Sequence, residues 1–171
     1  MSKKNNIAAK CAYMGLMIAL ALVFGYVESL IPINFGVPGV KLGLANIVTV
    51  LCLYIWDWRH AAFVSFTRVI LSGFLFGNLF GVVYGLSGAV LSLLVMLIFK
   101  RFFSMVTVSA VGGIFHNLGQ LLMALIIISD RNILYYLPVL LLAGLITGSV
   151  VGVLCSVVYG RVIRQINKRR N

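Results

Sequence analysis

What most constrains this chain is where its charges are missing. Residues 11–27, 42–56, 102–129 and 132–160 carry no charged side chain, and residues 61–99 carry one, Arg68. A soluble domain is about a quarter charged; here the charged share is 10% and the hydrophobic share 62%, which excludes a water-soluble globule. A helix needs about 20 apolar residues to cross a bilayer. The block 61–99 is too long for one crossing and suits two, with a break near Gly77-Asn78, where a glycine and an amide adjoin. The expected fold is an all-α membrane protein of six transmembrane helices, a single integral domain over residues 1–171. The helices are expected near 8–30, 42–56, 61–77, 81–99, 104–128 and 134–160. The first apolar run lacks a clear small-residue cleavage site and reads as a retained span rather than a signal peptide.

The positive charges then orient the chain. The net charge is +11, yet eight basic residues lie in the tails: Lys3, Lys4, Lys10, Arg161, Arg164, Lys168, Arg169 and Arg170. With a cytoplasmic N-terminus, Arg59, Lys100 and Arg101 join them inside, and only Lys41 and Arg131 fall outside. Eleven against two is a strong positive-inside bias, so both termini are expected in the cytoplasm, with contacts to anionic lipid at that face. Trp56 and Trp58 would mark the inner interface, Tyr135 and Tyr136 the outer one. The basic excess is thus accounted for without nucleic acid.

The acids remove reaction classes. Glu28, Asp57 and Asp130 are far apart, so there is no carboxylate pair for glycosidase chemistry and no Asp-rich run to hold Mg²⁺ against a diphosphate. Cys11, Cys52 and Cys155 form no CxxC and read as buried free thiols. Two histidines, His60 and His116, are too few for a zinc site, which needs three or four ligands. No metal, cofactor or catalytic residue is expected.

Small residues recur every fourth position: Gly73, Gly77, Gly81 and Gly85, and again Gly144, Gly148 and Gly152. Such spacing lets helix backbones approach closely. It serves either internal packing or a face on which another protein can slide. A weaker version opens the chain: Ala8 with Ala12, then Gly15 with Ala19.

Three polar features are costly in a membrane. Arg68 lies eight residues past His60, about 12 Å along its helix, where an arginine costs at least ~2.5–3.5 kcal/mol on insertion scales. It should face the interior and have a partner, either structural or a ligand. His116-Asn117-Leu118-Gly119-Gln120 puts three hydrogen-bonding side chains within two turns of an apolar helix. His116 and Gln120 share a face, with Asn117 beside them, as glue or as a site. The first outer loop, residues 28–41, holds two prolines and two glycines, is ordered by its turns, and leads from Glu28 through Lys41 to Asn46. It is a plain hairpin or the lid of a pocket.

The stretches Glu28-Ser29-Leu30-Ile31-Pro32, Pro38-Gly39-Val40-Lys41-Leu42-Gly43-Leu44-Ala45-Asn46, Arg68 and His116-Asn117-Leu118-Gly119-Gln120 resemble the Gx transporter family, also labelled heptaprenyl diphosphate synthase component I. Through it the chain resembles the substrate-binding S components of energy-coupling-factor transporters, over nearly its whole length. The resemblance implies an S-component-like bundle in the plasma membrane of a bacterium. Its substrate cavity would open outside, beneath the loop between helices 1 and 2 and among helices 4 to 6. It implies substrate contacts from Glu28, Lys41, Asn46, Arg68, His116, Asn117 and Gln120. Ala8, Ala12, Gly15 and Ala19 would dock on a membrane coupling protein driven by two ATPases. The chain has no GxxxxGK[ST] loop of its own, and it begins Met1-Ser2-Lys3-Lys4 where nickel- and cobalt-type S components carry a Met-His hook, which disfavours metal transport. The candidate site residues suit a small anionic or amphiphilic compound, vitamin-, flavin- or isoprenoid-like. The alternative is a non-catalytic membrane partner in polyprenyl diphosphate or quinone-precursor metabolism. An enzyme using His116 and Arg68 comes third, since no nucleophile or paired base is visible.

Overall fold

A computed structural model describes residues 3–30, 43–76 and 79–170. The described residues form six α-helices and no strand: α1 Lys3–Leu30, α2 Leu44–Ile55, α3 Trp58–Phe76, α4 Leu79–Phe99, α5 Met105–Ile128 and α6 Leu137–Arg170. A 3-10 helix, Arg131–Tyr136, precedes α6. The split of residues 61–99 is as expected, with α3 ending at Phe76 and α4 starting at Leu79; Gly77 and Asn78 lie outside the described residues.

Two boundaries differ from expectation for a common reason. α1 begins at Lys3 rather than near residue 8, and α6 runs to Arg170 rather than 160. Charge marks where a helix leaves lipid, not where it ends. Lys, Arg and Gln are good helix formers, so both terminal helices continue through the basic tails. At its other end α6 starts later, at Leu137, because Asp130 caps a 3-10 turn instead: its Oδ1 accepts from Asn132 N–H at 2.9 Å.

Among the described residues four helical stretches are long and apolar enough to cross a membrane: Ala8–Leu30, Leu79–Phe99, Met105–Ile128 and Arg131–Gln165. α2 has 12 residues, about 18 Å at 1.5 Å per residue against a core about 30 Å thick. α3 has 19 residues but carries Arg59, His60 and Arg68. The outward surface is apolar. Leu94, Ile98, Ile126, Leu142 and Ile146 are each more than half exposed, a surface that water would not tolerate at this extent and lipid would.

The helices pack as a ring. α2 meets α3 and α6, α6 meets α5, α5 meets α4, and α4 returns to α3. α1 lies outside this ring against α2 and α3, and Ala21 is its one fully buried side chain among those described. The tightest seam joins α5 and α6. A methyl group on Gly144 would stand 2.6 Å from Gly113 O, and one on Gly148 2.6 Å from Ser109 O, so the α6 ladder is consumed by internal packing. The first ladder is divided between two helices. Gly73 on α3 receives Val82 of α4, and Gly85 on α4 receives Val69 of α3.

α2 is short but firmly held. Seven of its residues, from Ala45 to Leu53, are buried, and its two ends meet opposite charges. At the start, the Gly43 N–H donates to Glu28 Oε1 at 2.6 Å. At the finish, Lys100 Nζ donates to Leu53 O and lies 4.9 Å from the centre of the Tyr54 ring. An anion at a helix N-terminus and a cation at its C-terminus both complement the helix dipole. One expectation about the thiols fails: Cys52 and Cys155 are buried, but Cys11 is exposed, because α1 turns that face away from the ring.

Candidate functional site

The ring of α2 to α6 does not close completely. A cavity of about 30 Å³, measured to the centre of a water-sized sphere, remains between its helices. One water takes roughly 10–15 Å³ on this measure, so the space suits two waters or a compact polar group. All five helices of the ring contribute to its wall, and α1 does not. The resemblance implies a cavity beneath the loop between helices 1 and 2 and among helices 4 to 6; the cavity seen is lined by residues of α2 and α3 as well.

One end of the cavity is built by a polar network linking three helices. Gly43, the residue before α2, has φ +75°, a left-handed conformation that costs other residues about 1–2 kcal/mol and that glycine adopts freely. That turn brings its N–H to Glu28 at the end of α1 and leads directly to Asn46 on the first turn of α2. Asn46 Oδ1 accepts from Arg68 Nη2 of α3 at 2.7 Å. Arg68 thus has an interior partner, and Glu28 is the acid whose charge acts on it. Because its oxygen is taken by Arg68, Asn46 presents its NH₂ to the remaining surroundings, and Asn46 lines the cavity. Arg68 Nε is buried with no hydrogen-bond partner among the described residues.

The cluster on α5 divides. His116 lines the cavity and packs at Gly88 of α4, together with Gln120. Asn117, one residue on and so about 100° around the helix, instead donates through Nδ2 to Leu140 O of α6 at 2.8 Å. Asn46 and His116 therefore come together at one cavity, Glu28 and Arg68 stand behind Asn46, and Asn117 ties α5 to α6. Gln120 fills the α4–α5 seam. Lys41 lies outside the described residues. Among the described residues no three His, Cys, Asp or Glu side chains converge as a metal site.

Sequence reasoning missed the hydroxyls. Thr49 of α2, Ser65 of α3, Ser92 of α4, Ser109 of α5 and Thr147 of α6 all line the cavity, one from each helix. Thr49, Ser65 and Ser109 are each 3% exposed. Thr147 folds back on its own helix, donating to Ala143 O at 2.8 Å, as Thr and Ser usually do in helices. Thr49 does not; its buried Oγ1 has no hydrogen-bond partner among the described residues. A buried hydroxyl without a partner costs about 1–3 kcal/mol, so this one marks a place where a polar guest would be stabilised. Ser and Thr are so ordinary in helices that no single one signals a site. Only their convergence does.

At the opposite end of the ring, Asp57 caps α3. Its Oδ1 accepts from the His60 backbone N–H at 3.0 Å and contacts His60 Nδ1. The backbone bond first, then the side-chain bond, hold the Asp57 carboxyl below its ordinary pKa. This is a helix cap with no connection to the cavity.

Apolar helices closed around a polar cavity, with an outer surface suited only to lipid, define a multi-pass helical membrane protein. Residues 17–158 match the model of the heptaprenyl diphosphate synthase component I family, and the chain belongs to that family. No curated protein and no solved structure matches the chain.

Proposed function

We propose that this protein is the membrane-embedded substrate-binding subunit of an energy-coupling-factor type transporter, capturing a small compound from outside the cell. In this reading all six helices cross the plasma membrane of a bacterium and both termini are cytoplasmic, in line with the eleven-to-two distribution of basic residues. The single observation that carries the reading is the cavity enclosed by α2 to α6, with Asn46, His116 and the unpartnered Thr49 hydroxyl on its wall. Asn46 and His116 contact the substrate, and Glu28 and Arg68 hold Asn46 in place. Asn117 and Gln120 set the position of α5.

The open face of α1 supports the same reading. Ala8, Ala12 and Ala19 are exposed, and a methyl group added at Gly15 would meet nothing within 4 Å. Gly73, Gly85, Gly144, Gly148 and Gly152 of the other ladders are met closely by neighbouring helices, whereas this face is left for a membrane coupling protein, with two ATPases supplying the energy. The chain itself performs no catalysis in this account.

A second reading is favoured by the family's own description, which names a synthase component. The chain would then be a non-catalytic membrane partner of a soluble prenyl-chain-forming subunit. Affinity purification of the tagged protein from its native membranes separates the two. Recovery of a membrane coupling protein with two ATPases, and ATP-dependent uptake by the reconstituted complex, supports the first. Heptaprenyl diphosphate formed only when the chain is combined with a soluble partner would replace it with the second.

A further inference from the structure

The chemistry of the cavity wall narrows what can bind there, and this step rests on the substrate-binding reading above. Among the described residues the lining holds no Asp, Glu, Lys or Arg. Arg68, the cation behind Asn46, is not on that wall: it donates through Nη2 to Asn46 Oδ1, its charge is offset by that of Glu28, and its Nε, unpartnered among the described residues, is buried and does not line the cavity. An ion brought into this space would leave water without meeting a free counter-charge, and an uncompensated charge in an apolar interior is far more costly than a neutral polar group. What the wall does offer is hydroxyls, an amide and an imidazole. The Thr49 hydroxyl, unpartnered among the described residues, can both donate and accept, the Thr147 oxygen, its hydrogen given to Ala143 O, can still accept, and the Asn46 NH₂ donates. A carboxylate or phosphate calls for a concentration of cations and N–H donors. A set that both donates and accepts around the whole circumference calls for a guest that does the same.

We infer that the cavity takes a compact, uncharged, hydrogen-bonding molecule, such as a small amide, polyol or neutral heterocycle, rather than the anionic or amphiphilic one that the candidate site residues of the sequence suit. Thr49 is the residue that reads it most directly, being 3% exposed, on the cavity wall and without a partner among the described residues. Ser92 and Ser109 face the same space from α4 and α5. Arg68 is a positioning residue in this scheme: it orients the Asn46 amide and does not touch the guest.

Cysteine chemistry tests the charge preference without knowing the natural ligand. Thr49→Cys, Ser92→Cys and Ser109→Cys are made singly in a background where Cys11, Cys52 and Cys155 are alanine, with Asn132→Cys as an exposed control. Each purified, monodisperse variant in nanodiscs is treated with three methanethiosulfonates: neutral 2-hydroxyethyl, anionic 2-sulfonatoethyl and cationic 2-trimethylammonioethyl. Every rate is divided by the rate of the same reagent with 2-mercaptoethanol. At the cavity positions the neutral reagent should exceed both charged ones by at least roughly tenfold, while all three react alike at Asn132→Cys. Two of three cavity positions behaving so suffices if one variant does not fold. A faster anionic or cationic reagent would overturn the inference and leave the substrate-binding reading standing. Reaction at Asn132→Cys with none at any cavity position would show sealed packing, and would remove that reading as well.

Discussion

Arg68 could be found from sequence because a lone charge in a 39-residue apolar block has to be explained. Thr49 could not, because a threonine in a helix ordinarily satisfies itself on the preceding turn. The Arg68–Asn46 bond makes a quantitative prediction. A hydrogen bond to a charged group contributes about 1.5–3 kcal/mol, so Arg68→Ala and Asn46→Ala should each lower the melting temperature of the purified protein. The double variant should cost less than the two singles combined, by a similar amount; simple additivity would mean that the bond has no energetic weight. Arg68→Lys should recover only part, since an ammonium cannot match the planar guanidinium. Asp57 gives a pH test. Its pKa is lowered in the folded protein, so the stabilisation is complete above the unfolded value of about 3.9 and is lost as pH falls through the lower folded value. Asp57→Asn keeps a capping oxygen but does not titrate. Thermal melts of wild type from pH 6 downward should therefore show a loss below about 4 that is smaller in Asp57→Asn; identical profiles would contradict the cap assignment.

Among the elements, the six helices and their order were legible because charge spacing sets lipid boundaries and the longest apolar block, residues 61–99, is too long for one crossing. Their ends were less so. The basic tails extend α1 and α6, and the 3-10 turn at Arg131–Tyr136 arises from Asp130 capping that no hydropathy pattern reveals. The purpose of the small-residue ladders was not legible at all, since four-residue spacing is the same whether the partner is inside or outside the molecule. The structure separates them by their surroundings. Gly148→Leu should break the α5–α6 seam, where even a methyl group would stand 2.6 Å from Ser109 O, and yield little folded protein. At Gly15 a methyl group would meet nothing within 4 Å, so Gly15→Leu should leave the melting temperature within about 2 °C of wild type, consistent with the small effect of surface changes. In the proposed transporter it should nonetheless abolish co-purification of the coupling protein. A folded Gly15→Leu variant that still assembles would reduce the α1 stripe to a lipid-facing surface.

Taken whole, the molecule is a ring of five helices with a sixth beside it, and the connectivity alternates its turns between two ends. One end carries the polar network of Glu28, Gly43, Asn46 and Arg68; the other carries Asp57, Lys100 and the basic tails. The orientation proposed here assigns the first end to the outside. A membrane-impermeant thiol reagent on intact cells should then label Asn132→Cys and spare Ser104→Cys, the residue capping α5; labelling of Ser104→Cys alone would invert the topology. The central claim is that the ring exists to hold a small molecule. It is tested most directly by native mass spectrometry of the detergent-purified protein. A single small, uncharged molecule should be released from wild type at near one-to-one occupancy, and it should be depleted from Thr49→Val and Arg68→Ala samples that remain folded. Wild-type protein releasing nothing beyond lipid and detergent, from native membranes in which the complex is active, would contradict it.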